Sequence, residues 1–203
     1  MHPNLDLVND QGANTISPLV DSREIMLGGF VTFSQYVAGT IYCGLGSRAI
    51  HKFDCNKNLD EDRHSRLAIS GLPICGIAHP GGEGVLVGTD DGCLLHVNSD
   101  VKVLAKLEKG WVEQIACSKE SNYIAWSSAK KLFISNLDGE LLHEIPPQTG
   151  TIMGLQFSAD GTFVAVARYG GVVMIDTVSG GVIDEFEWQG AHLNLVWSPD
   201  QKY

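Results

Sequence analysis

The stretch richest in reactive side chains is Asp54-Cys55-Asn56-Lys57-Asn58-Leu59-Asp60-Glu61-Asp62-Arg63-His64-Ser65. Asp54, Asn56, Asn58 and Asp60 alternate as the ligands of a calcium loop do, where successive oxygens turn toward one cation. Leu59 stands where that loop needs glycine for its sharp bend, and Ser65 where it needs a bidentate glutamate. The stretch therefore reads as a solvated acidic loop, and neither a metal nor another cofactor is expected.

The other reactive residues are scattered. His2, His51, His64, His79, His96, His143 and His192 form no HxH or HxxxH pair, and zinc needs three or four convergent ligands. A site assembled in space, such as His96 with Cys93, is the one alternative to isolated histidines. Five cysteines, an odd number without CxxC spacing, read as reduced thiols. Cys43, Cys75, Cys93 and Cys117 lie in apolar runs, where cysteine acts as a small hydrophobe. No Gly-x-Ser-x-Gly elbow is present, and the glycine clusters at 44–46, 81–84 and 170–171 lack the lysine of a phosphate loop. They fit hairpin turns instead. No catalytic constellation emerges, so a non-catalytic protein is expected.

With 203 residues, 44% apolar and 19% charged, the chain is long enough for a core that needs no disulfides. A formal net charge of −10, with no run of Lys or Arg, opposes binding to nucleic acid or anionic lipid. The N-terminal sequence lacks the basic head and apolar stretch of a secretory signal, and no later apolar run approaches membrane-spanning length. A cytoplasmic location is the expectation.

What positions these residues is a repeat. Segments beginning at Gly71, Gly110, Gly150 and Gly190 align as GLPICGIAHPGGEGVLVG, GWVEQIACSKESNYIAWS, GTIMGLQFSADGTFVAVA and GAHLNLVWSPDQKY, a period of about 40 residues. In each, an apolar strand ends at Ala78, Cys117, Phe157 or Trp197, and a polar turn follows, HPGG, SKES, SADG or SPDQ. Those turn residues tolerate tight reversals. Third strands align at 88–97 and 166–175, and fourth strands are expected at 101–105, 140–145 and 182–186. An earlier copy begins near Gly29, with ValThrPheSer at 31–34, IleTyrCysGlyLeuGly at 41–46 and AlaIleHisLysPheAsp at 49–54. Four short strands cannot bury both faces of their own sheet. Stacking such sheets as blades around an axis can, which predicts an all-β propeller. The blades fall at 29–70, 71–109, 110–149 and 150–189, with a partial unit at 190–203 that supplies the first strand of a fifth.

These rows resemble WD repeats, most clearly GWVEQIACSKESNYIAWSSAKKLFISNLDGELLHEI at 110–145 and LeuValTrpSerProAsp at 195–200. The resemblance covers about residues 29 to 203. No third strand ends in Trp-Asp; the equivalent pairs are Phe53-Asp54, Val97-Asn98, Ile134-Ser135 and Ile175-Asp176. The family's buried Asp-His-Ser/Thr-Trp network is therefore not expected in any blade, and apolar packing between blades must replace it. Because such rings most often hold seven blades, the resemblance implies an N-terminal portion of a larger ring. Residues 1–28 form an N-terminal segment whose 15–20 run, ThrIleSerProLeuVal, is a candidate closing strand, one that would pair with 192–197 in a small closed ring. An unclosed stack exposes strand edges and invites self-association.

Adjacent propeller blades place the loops leading into each blade, and the turns between second and third strands, around one rim. That rim carries Arg48, Trp111, Arg168, Tyr169, Trp188 and His192. Trp, Tyr and Arg are the types that most often anchor protein interfaces. Trp111 and Trp188 could instead cover the sheet edge beneath them, whereas Trp126 and Trp197, inside strand patterns, belong to the core. The function expected is a scaffold that docks a protein or peptide on this rim. Two alternatives stand beside it. One is a metal-dependent or hydrolytic propeller enzyme, for which Glu113 and His192 are the few ionisable residues of the first strands. The other is the regulatory propeller of a longer multidomain protein.

Overall fold

The computed structural model describes residues 25–57 and 63–198. Among them there are sixteen strands and no helix. The first blade contains β1 (Val31–Val37), β2 (Thr40–Leu45), β3 (Ala49–Asp54) and β4 (His64–Ala68). The second contains β5 (Pro73–Ala78), β6 (Val85–Thr89), β7 (Cys93–Val97) and β8 (Val101–Lys106). The third contains β9 (Gln114–Ser118), β10 (Tyr123–Ser128), β11 (Lys131–Asn136) and β12 (Leu141–Ile145), and the fourth β13 (Ile152–Phe157), β14 (Phe163–Arg168), β15 (Gly171–Asp176) and β16 (Val182–Glu187). Each set forms its own antiparallel sheet in sequence order. The expected propeller architecture is thus present as four complete blades.

Turn chemistry sets the hairpins. Between β1 and β2, Val37 pairs with Thr40, so the loop is the two residues Ala38 and Gly39, at φ 46° and 83°. Two positive φ values give the turn a twist that matches the flanking strands.

Burial falls from the inner strands outward. Every residue of β6 is buried and every residue of β16 exposed. A strand covered on both faces reads as a continuous apolar run, as ValLeuVal does at 85–87. Alternation then assigns each face to a different neighbour. Val85, Val87 and Leu95 pack with Val37, Tyr42 and Ile50 of the first blade. Leu86 and Leu94 of the same sheet pack with Ile115, Ile124 and Trp126 of the third. A third cluster joins Leu132 and Ile134 to Ile152, Val164, Val166 and Ile175. The core is therefore three inter-blade layers, and each fully buried Leu, Ile or Val contributes about 1.5–3 kcal/mol.

Two findings correct the sequence expectations. Residues 191–198, expected to form the first strand of a fifth blade, have no regular strand structure. They still run along the fourth blade: a Cβ at Gly154 would lie 3.1 Å from the Asn194 Cα, and Trp197 meets Phe163 edge-on at 5.3 Å. A strand requires a ladder partner, and none pairs with this segment among the described residues. Trp197 is accordingly half-buried instead of part of a closed core. The proposed pairing of 192–197 with residues 16–20 lies outside the described residues.

Apolar packing is also not alone in holding the blades. Trp126 Nε1 donates to the buried Ser135 Oγ at 3.0 Å. In the second blade Asp91 accepts from Thr89 Oγ1 at 2.6 Å and Ser70 Oγ at 2.7 Å, and pairs with Lys106 Nζ at 3.1 Å. Partial burial raises the Asp91 pKa, but hydrogen bonds from Thr89, Ser70, Lys106 and Cys93 outweigh it and hold the carboxyl well below the ordinary range. A depressed folded-state pKa stabilises above the unfolded value of about 4 and is lost as pH falls through the folded value. Asp91→Asn is therefore expected to cost about 1–2 kcal/mol at pH 7, and the gap from wild type to narrow in denaturant titrations at progressively lower pH. A gap that stays constant with pH would show that the charge is not what the network holds.

Candidate protein-binding rim

Antiparallel alternation puts the β2–β3, β6–β7, β10–β11 and β14–β15 turns at the same end of the blades as the loops leading into β5, β9 and β13. Backbone bonds tie the two sets together: Asp90 N–H to Leu72 O at 3.0 Å, Val112 N–H to Thr89 O at 3.0 Å, and Gly170 N–H to Gly190 O at 2.9 Å. The rim is thus a fixed surface.

Three of the six rim residues are large, exposed aromatics: Trp111 at 56%, Tyr169 at 65% and Trp188 at 73% exposure. Arg48 is exposed, in the left-handed region at φ 55° in the β2–β3 turn. His192 is half-buried and its Nε2 donates to Trp188 O at 3.3 Å, which tethers the loop that carries Trp188.

Arg168 departs from expectation, being only 4% exposed. Its guanidinium pairs with Glu185 of β16 and donates to Tyr169 O at 3.2 Å. It therefore acts as a brace beneath the rim. Sequence reasoning missed Glu185 because strands two places apart in the sheet come together only through the fold; it is one of three acidic residues of β16, with Asp184 and Glu187, and nothing local distinguishes it from them.

The lower end of the blades gathers the remaining candidates. His79 and His96 stack at 4.2 Å, with His96 Nε2 on Glu83 O at 2.7 Å, so His96 is directed away from Cys93, which sits at the other end of β7. Burial, then the neighbouring His96, lowers the His79 pKa against a smaller opposing effect of Glu83. His51, buried on β3, shares a 2.8 Å hydrogen bond between its Nδ1 and His64 Nε2. Asp54 Oδ1 accepts from Asn56 N–H at 2.9 Å, a turn-stabilising bond; Asn58 and Asp60 of the calcium-like spacing lie outside the described residues. Among the described residues no three His, Cys, Asp or Glu side chains are grouped to hold a metal. Glu113 lies instead at the rim end, where it accepts from Ala129 N–H at 2.7 Å and closes the β10–β11 turn.

All five cysteines are free thiols. Burial pushes the Cys75 thiol up to about 12 and the Cys117 thiol up to about 11. Cys55 is exposed. An aromatic disulfide reagent at pH 8 is therefore expected to label Cys55 first, with Cys75 and Cys117 at least about 100-fold slower until the protein is denatured. Rapid labelling that survives Cys55→Ser would refute this order.

The fold defines a class, an all-β stack of four-stranded propeller blades. No family model matches the chain. Over 138 residues, 64% of its length, the chain is 28% identical to WD repeat-containing protein 1-A of Xenopus laevis. The match spans 23% of that protein, so the chain corresponds to about a quarter of its relative's length.

Proposed function

We propose that this chain is a non-catalytic scaffold that docks a protein or peptide on the rim carrying Trp111, Tyr169 and Trp188, with Arg48 and His192 at its margins. The observation that carries this reading is the exposure of three large aromatics at one end of adjacent blades, while Trp126 is buried among its inter-blade neighbours. Exposed aromatic area forgoes burial energy in the free protein and regains it when a partner covers it. The likeness to a WD-repeat protein supports the same reading, since blades of this kind present loops on a rigid frame.

The test compares wild type with a Trp111→Ala/Tyr169→Ala/Trp188→Ala variant in affinity capture with identification of bound proteins. A control on the opposite end, Lys119→Ala/Glu120→Ala, runs alongside. Loss of specific partners by about tenfold or more in the rim variant alone, with unchanged far-UV circular dichroism and melting, is the expected outcome. Equal recovery by both variants would overturn the proposal.

A further inference from the structure

Resting on that rim reading, we infer that the groove between Tyr169 and Trp188 receives a cationic side chain, that of lysine or methylated lysine, from the docked partner. The groove has a volume of about 290 Å³ and is lined by Tyr169, Gly170, Glu187, Trp188 and Gln189. Its walls are held apart by the backbone: Trp188 N–H donates to Gly170 O at 3.0 Å and Gly170 N–H to Gly190 O at 2.9 Å. The two aromatics therefore project from fixed positions of neighbouring turns. Gly170, at φ 92°, adds no side chain to the floor. A Cβ at Gly171, the pairing partner of Glu187, would lie 2.0 Å from Phe186 O, so the strand there closes tightly behind the groove.

Charge decides what fits. Glu187 is exposed and supplies a carboxylate at the wall. The neighbouring Arg168 is buried and its charge is answered by Glu185, so it presents no free cation to the groove. The chain as a whole carries a net charge of −10. Aromatic faces attract cations through the negative potential above the ring, and a carboxylate alongside adds a direct charge partner. An anionic or purely apolar ligand would leave Glu187 desolvated without compensation. Methylation spreads the ammonium charge over a larger surface and lowers its dehydration cost, so trimethyl-lysine binds more tightly than lysine.

The experiment is a titration of the 203-residue chain, followed by the indole N–H signal of Trp188 and assigned with Trp188→Phe. The probes are N-acetyl-trimethyl-lysine methylamide, its lysine counterpart, and the neutral isostere in which carbon replaces the quaternary nitrogen. Saturable shifts are expected in the order trimethyl-lysine, lysine, isostere, with the isostere at least about tenfold weaker. Glu187→Gln weakens trimethyl-lysine about threefold or more, and Trp188→Ala, which lacks the reporter and is followed by calorimetry instead, abolishes it. Equal binding of the isostere, or no saturable shift with any probe, overturns the inference. If the rim variant still loses its partners in that case, the rim reading stands and only the cation assignment falls. If the rim variant retains them, both fall. A charge-dependent shift combined with retained partners overturns the inference too, since the groove then serves no docked protein.

Discussion

Trp126→Ala should lower the unfolding free energy by about 3–5 kcal/mol. Trp126 is 3% exposed in the layer between the second and third blades, stacked on Phe133 at 4.2 Å with the rings 16° from parallel. Truncation removes that packing, leaves a cavity beside Ile115 and Ile124, and strands the Ser135 hydroxyl, which is fully buried. Trp126→Phe keeps part of the apolar volume and loses the hydrogen bond, for a cost of about 1–2 kcal/mol. Denaturant titration monitored by circular dichroism separates the two effects. A cost for the alanine variant below about 1 kcal/mol would mean that the layer collapses around the gap or that the indole is not interior.

The second large effect is at Gly88, where β6, one residue before its end, passes under the loop leading into the third blade. A Cβ there would lie 2.3 Å from the Val112 carbonyl oxygen, 2.7 Å from Cys75 Sγ and 2.8 Å from Val112 Cγ1. The nearest atom is backbone and cannot rotate aside, so the two blades must separate. Gly88→Ala should cost about 3 kcal/mol or more, at the upper end for overpacking a core. Gly29→Ala is the control: its nearest neighbours would be at 3.6 Å and its φ lies outside the left-handed region, so the change should stay within about 0.5 kcal/mol. Equal melting temperatures for the two variants would show that the blades are less closely apposed at Gly88 than described.

Much of this architecture was legible in the sequence. The strands at 41–46 and 101–105, and the turns SKES and SADG, follow from the repeat register and the turn residues, and the structure has β2, β8 and those reversals at the same positions to within a residue. Such features are local: each repeat carries its own apolar strand residues and turn residues, whose preferences act over a few neighbours. Trp197 was misjudged for the same reason, because LeuValTrp reads as a strand wherever it occurs, but becomes one only with a partner to pair with.

The rim divides along the same line. That Arg48, Trp111, Arg168, Tyr169, Trp188 and His192 share one end of the blades follows from strand count and alternation, and the sequence by itself determines it. Whether each side chain is offered to a partner is a tertiary matter. Arg168 ends β14 and Tyr169 opens the turn that follows, yet one is buried and braced by Glu185 while the other stands in solvent. Successive residues point to opposite faces, and burial of each depends on what the folded chain brings to that face, here an acidic residue on β16, two strands away in the sheet.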